Sequence, residues 1–91
     1  MAQLHVELVS VESKVWSGDA DMLIARTTEG ELGVLPGHAP LLGQLADPAT
    51  VRIKHDGQET AYTVNGGFLS ITAEGVSVLA ETAEPADSSA R

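Results

Sequence analysis

Cysteine is absent from the 91 residues, and that absence removes disulfides, thiolate nucleophiles and cysteine-based zinc sites together. A small domain held without such staples fits a reducing compartment or support from a partner. Aromatic residues are almost as scarce, with one Trp, one Tyr and one Phe. The core must therefore be built from Val, Leu, Ile and Ala, and a sugar-binding face, which stacks its ligand on exposed rings, has little to work with. Cations are few: five Lys and Arg stand against thirteen Asp and Glu, for a formal net charge of −8. No phosphate-neutralising stripe can be assembled from so few, which argues against nucleic acid as a partner and disfavours acidic lipid surfaces for the same reason. Nothing approaches the ~18 consecutive apolar residues of a membrane span. The opening "MAQLHVELVS" has neither the basic n-region nor the continuous apolar h-region of a signal peptide.

What is present alternates with the period of a strand. Leu4, Val6 and Leu8 fall on one side and His5 and Glu7 on the other, as in a half-buried strand. "SKVWSGD" interrupts this pattern, and "ADMLIARTT" resumes it with Met22 and Ile24 on one face. "TEGEL" reads as a turn in which Gly30 is free to take positive φ, and Pro36-Gly37 marks another. Asp56-Gly57 is a favoured tight-turn pair between Val51/Ile53 and Tyr62/Val64, which predicts a hairpin. Two further strands are expected around 68–72 and 76–80, joined through Glu74-Gly75, with Phe68 in the core and the Asn65-Gly66-Gly67 stretch as a bulge or tight link between strands. About eight short strands without a helix predict an all-β fold, a sandwich or barrel. The pattern stops after Glu81, so a single domain over 1–83 is expected, followed by a flexible tail or stub over 84–91.

Candidates for catalysis are thin. His5, His38 and His55 are scattered with no metal-binding spacing, and His5 and His55 read as solvent-facing strand residues. "GELGVLPG" lacks the Lys and Ser/Thr of a phosphate-binding loop, so its glycines read as turn geometry. Glu29 and Glu31 flank Gly30 and could act with His38 in acid–base chemistry, although a solvated turn explains them equally well. The unusual feature is "GELGVLPGHAPLL", where Leu32, Val34, Leu35, Ala39, Pro40, Leu41 and Leu42 crowd around a Pro-Gly turn. The turn cannot bury them all, so Val34, Leu35, Leu41 or Leu42 is expected in an exposed apolar patch, the mark of a preformed docking surface.

That stretch, followed in order by "GGFLSI" and "VLAETAE", resembles the N-terminal β-sandwich domain of the epsilon subunit of F-type ATP synthases, called delta in mitochondria. The resemblance runs over nearly the whole of the expected domain. It implies a flattened sandwich of two five-stranded antiparallel sheets with no active site, metal or cofactor of its own. It also implies a place in the rotating central stalk, where the chain would couple rotation of the proton-driven c-ring to the gamma subunit and ATP synthesis. Carried over by position, Glu29, Gly30 and Glu31 would face the polar loops of the c-ring. Ser10, His38, Leu41, Leu42 and Gly43 would face gamma, Gly43 being smaller than the residues often found there. The chain would be peripheral to the membrane through other subunits, on the cytoplasmic face of a bacterial plasma membrane. The family's ATP-binding motif belongs to C-terminal helices and has no counterpart in this stretch. Set against this is a stand-alone β-sandwich module that binds another protein.

Overall fold

The computed structural model describes residues 3–86. Eight strands follow one another: β1 (Leu4–Ser10), β2 (Lys14–Ala20), β3 (Met22–Thr27), β4 (Gly30–Val34), β5 (Leu41–Gln44), β6 (Ala49–His55), β7 (Gln58–Thr72) and β8 (Gly75–Pro85). Their hydrogen-bonded order is β2-β1-β8-β7-β6-β3-β4, with β5 joined to β7. At 15 and 11 residues, β7 and β8 are long enough to serve two layers. The first layer is β2, β1, β8 over 75–80, β7 over 67–72, and β5. The second is β8 over 82–85, β7 over 58–65, then β6, β3 and β4. Each layer therefore has the five strands expected of the sandwich. One pairing departs from the expected antiparallel scheme: β1 and β8 run parallel, which they can do because the rest of the sandwich serves as the long crossover between them.

The two layers share β7 because its backbone bends at Gly66 and Gly67, a common way for a strand to turn a sandwich corner. Gly66 has φ 62°, and a Cβ at Gly67 would collide with the Leu79 carbonyl and lie 2.9 Å from Ala80 Cα. Register with β8 is unbroken across the bend, from Asn65↔Thr82 to Gly67↔Ala80. The Asn65-Gly66-Gly67 stretch is thus the interior of one continuous strand and not a link between two. The bend also sets which side each later residue takes. Leu69 and Ile71 point into the core, while Phe68, expected there, points outward.

Period-two burial supplies the core. Val6, Leu8, Leu23, Val34, Val51, Ile53, Val64, Leu69 and Val78 are buried between the layers, each contributing about 1.5–3 kcal/mol relative to exposure. Among the described residues no polar or charged side chain is buried with them. Trp16 closes the side between β2 and β6. Its ring folds over Gly18 and lies 5.3 Å from the His55 ring. His55 is accordingly half-buried, with Nε2 3.1 Å from Thr60 Oγ1, and is not the solvent-facing residue its position suggested. The β6–β7 hairpin turns on Asp56 (φ 53°) and Gly57 (φ 75°), the pair of positive values that a two-residue turn of matching twist requires.

The sheet continues past the expected domain end. Glu84 pairs with Thr63 and Pro85 with Tyr62, and Ala86 N–H donates to the Ala61 carbonyl at 2.9 Å. Residues 84–86 therefore belong to the sandwich, and the 83/84 boundary falls inside β8; residues 87–91 of the expected tail lie outside the described residues. An edge strand is held mainly by backbone hydrogen bonds to its neighbour, so it does not need the alternating apolar pattern whose loss suggested a tail.

Candidate docking surfaces

The acidic turn is built by Thr27. Its hydroxyl donates to the Gly30 carbonyl at 2.8 Å and accepts from Glu29 N–H at 3.1 Å, while Gly30 takes φ 127° as the sequence suggests. Thr28 N–H donates to the Gln44 carbonyl and Ala46 N–H to the Arg26 carbonyl, both at 3.0 Å, which ties the turn to β5. Both carboxylates project to solvent from this braced segment. Glu31 stands opposite Arg26 in the β3–β4 register, and its Oε2 accepts from Arg52 Nη2 at 3.4 Å.

Because the turn and β5 are tied together, residues expected to serve two partners line one open groove of about 450 Å³. Glu29, Gly30 and Glu31 come from one side of the sequence and Leu41, Leu42 and Gly43 from the other. Gly43 is half-buried, and a Cβ there would meet only Thr27 Cγ2, at 3.9 Å. His38 lies elsewhere, in a second groove with His5, Pro36, Pro40 and Glu74. Its N–H donates to the Leu35 carbonyl at 3.1 Å, and its Nδ1 is 2.7 Å from the Ala39 carbonyl oxygen, so Nδ1 is the donor. Glu29, Glu31 and His38 therefore do not converge on one reaction centre. Ser10 sits at the far end of β1, beside Ala80, with its hydroxyl donating to the Ser13 carbonyl at 3.2 Å. At about 3.3 Å per residue, β1 separates Ser10 from the His38 groove by roughly 20 Å. The two share a layer but stand at opposite ends of it.

The outer face of the first layer is the feature that sequence reasoning located only in part. Of the four residues of the Pro-Gly segment, Val34 is buried and the other three are exposed, but only Leu42, at 73%, falls on this face: Leu41 shares the inward row of Ile71, and Leu35 follows β4 in the second layer beside Met22 and Lys54. Phe68 (53%) and Leu79 (50%) are exposed on the same face as Leu42, and Val11 reaches 79% at the tip of the β1–β2 turn. Register aligns Phe68, Leu79 and Val9 in one row across β7, β8 and β1, with Leu42, Ser70 and Ser77 in the next. Small serines beside bulky apolar groups leave a broad, shallow surface. The signal was present as two consecutive apolar residues in "FLSI" and "VLAE", since a strand can bury only alternate ones.

A polar cluster borders this face. His5 Nδ1 lies 3.4 Å from Asp19 Oδ1 and its Nε2 3.4 Å from Glu7 Oε2, and Glu7 is 3.9 Å from Lys14 Nζ. The hydrogen bond to Asp19, and then that to Glu7, raises the His5 pKa above its usual 6.5. A histidine raised in the folded state stabilises the fold fully below its unfolded value and loses that contribution as pH climbs through the folded value. In an NMR titration His5 should show a midpoint above 6.5 that falls back toward it in Asp19→Asn. A midpoint at or below 6.5 in the parent chain would contradict the pairing.

Comparison with known proteins agrees with this architecture. Residues 3–86 match the family described as ATP synthase, Delta/Epsilon chain, beta-sandwich domain. The chain is 62% identical over 81 residues to the ATP synthase epsilon chain of Frankia casuarinae, covering 89% of this chain and 95% of that one. It is 54% identical over 85 residues to the ATP synthase epsilon chain of Mycobacterium tuberculosis, covering 92% and 70%. Among solved structures, a chain of the Euglena gracilis mitochondrial ATP synthase superposes with a TM-score of 0.88 at 26% identity, over 97% of this chain and 56% of that one. A chain from the central stalk and c-ring of the Tetrahymena thermophila mitochondrial ATP synthase shares the fold, with a TM-score of 0.76 at 17% identity over 89% and 65%. The chain belongs to the delta/epsilon family of ATP synthase subunits, whose β-sandwich domain spans residues 3–86.

Proposed function

We propose that this chain is a non-catalytic subunit of the central-stalk rotor in a proton-translocating F-type ATP synthase, docked on the gamma subunit and the c-ring so that ring rotation is coupled to ATP synthesis. The observation that carries the reading is the apolar outer face of the first layer, where Leu42, Phe68 and Leu79 stand exposed on rigid strands. Apolar area held in fixed register loses little entropy on docking, and leaving it uncovered in water is unfavourable. Gamma is its partner in this reading, with Leu41, Leu42 and Gly43 at the edge of the contact and Ser10 and His38 at its two ends. The turn of Glu29, Gly30 and Glu31 meets the polar loops of the c-ring, its carboxylates steering assembly with basic groups. A close-packed sandwich transmits torque without rearranging, as a coupling element must. The subunit is then held at the cytoplasmic face of a bacterial plasma membrane by its neighbours.

The absence of cysteine makes a direct test available, because any introduced thiol is unique in the chain. Leu42→Cys, given a short bifunctional reagent in the assembled synthase, should cross-link to gamma. Lys54→Cys, on the outer face of the second layer, should not. Equal cross-linking from the two positions, or none from Leu42→Cys, would remove the proposed docking face.

A further inference from the structure

Glu29 and Glu31 carry the same charge on either side of Gly30, yet their surroundings differ. Among the described residues Glu29 forms no side-chain ion pair, whereas Glu31 Oε2 accepts from Arg52 Nη2 at 3.4 Å. The partners are 21 residues apart in sequence and meet because β3 lies between their strands. Arg52 of β6 pairs with Ile24 on β3, and Glu31 of β4 pairs from the other side of β3 with Arg26, two residues further along the same outer face. Lys54 projects from that face as well, so three of the chain's five cations stand on the outside of the second layer, Arg26 nearest the acidic turn and Lys54 farthest from it, opposite Met22.

We infer that Arg52 is a specificity-determining residue that holds down the attraction of the acidic turn for a cationic partner. This rests on the ring contact proposed above. A basic side chain that engages Glu31 competes with the Arg52 guanidinium for a carboxylate whose charge is already partly balanced and is repelled by it, so the contact gains less than an unpaired carboxylate would give. Glu29, without such a partner, supplies the uncompensated charge. The pair is solvent-exposed, which keeps the effect to a few-fold, and its dependence on charge makes it sensitive to salt.

The experiment rebinds purified chain variants to membranes that carry the parent ATP synthase stripped of this subunit, at low and high salt. Arg52→Gln should bind about two- to five-fold more tightly than the parent at low salt, with the difference closing at high salt. Arg52→Lys, which keeps the charge, should stay near the parent, and Lys54→Gln should gain less than Arg52→Gln. Glu31→Lys should bind more weakly, chiefly at low salt. If Glu31→Lys weakens binding while Arg52→Gln leaves it equal or weaker, the role of Arg52 is overturned and the ring contact stands. If Glu31→Lys changes nothing, both are overturned. A gain in Lys54→Gln as large as in Arg52→Gln would reduce the effect to net charge and also overturn the assignment. Circular dichroism checks each fold, and Arg52→Met, which keeps an apolar stem over Ile24, carries the same expectation should Arg52→Gln fail to fold.

Discussion

Phe68→Asp should weaken binding to the gamma subunit by about 1–3 kcal/mol, roughly five- to 150-fold in Kd, while leaving the isolated domain folded. Phe68 lies on β7 in the row shared with Leu79 and Val9, across three adjacent strands of one layer, and next to the β5 strand that carries Leu42. A carboxylate introduced there would have to be desolvated against an apolar partner, which is costly when nothing pairs with it. In the free chain the same carboxylate would remain in water, because the parent side chain is 53% exposed. Binding and stability should therefore separate. Titration calorimetry with gamma and a thermal melt of the variant alone measure the two effects. Unchanged affinity would place the docking face elsewhere, and a collapsed melting temperature would return Phe68 to the structural core.

The largest loss of stability should come from a single methyl group. Gly67→Ala places a Cβ against the Leu79 carbonyl, 2.9 Å from Ala80 Cα and 3.0 Å from the Leu79 carbonyl carbon. All of these are backbone atoms of the paired strand and cannot rotate away, so the strands must separate at the corner where β7 passes between layers. A cost of about 3 kcal/mol or more is expected, which for a domain of this size lowers the melting temperature by roughly 12–24 °C. Gly43→Ala is the matched control. The added methyl meets only Thr27 Cγ2, at an ordinary 3.9 Å, so stability should stay within about 0.5 kcal/mol of the parent. Equal melting of the two variants would show that β7 does not depend on a bare backbone at the bend.

These two positions also mark where the sequence was legible and where it was not. The alternation in β1, the Asp56-Gly57 hairpin and the positive φ at Gly30 follow from local rules of strand period and turn chemistry, and each appears where those rules put it. Phe68 was misplaced because "FLSI" offers apolar residues on both sides of the strand, and the choice of side is made by the bend at Gly66 and Gly67. The parallel β1–β8 pair joins opposite ends of the described chain, a contact that no local pattern announces. The last residues of β8 are paired through their backbone, whose hydrogen bonds carry no side-chain signature. For the docking surfaces, the apolar Pro-Gly segment and the acidic turn stood out by composition. Their shared groove, the separation of Ser10 from His38, and the Arg52–Glu31 pair depend on strand order and became visible only in the fold.

The most direct test of the account is a calorimetric titration of the recombinant chain into the purified gamma subunit of its own synthase. A saturable one-to-one complex at micromolar concentration or below is expected, with the negative heat-capacity change that marks burial of apolar surface. Absence of binding at micromolar concentration, or binding that Leu42→Asp and Phe68→Asp both leave intact, would contradict a rotor subunit docked through the outer face of its first layer.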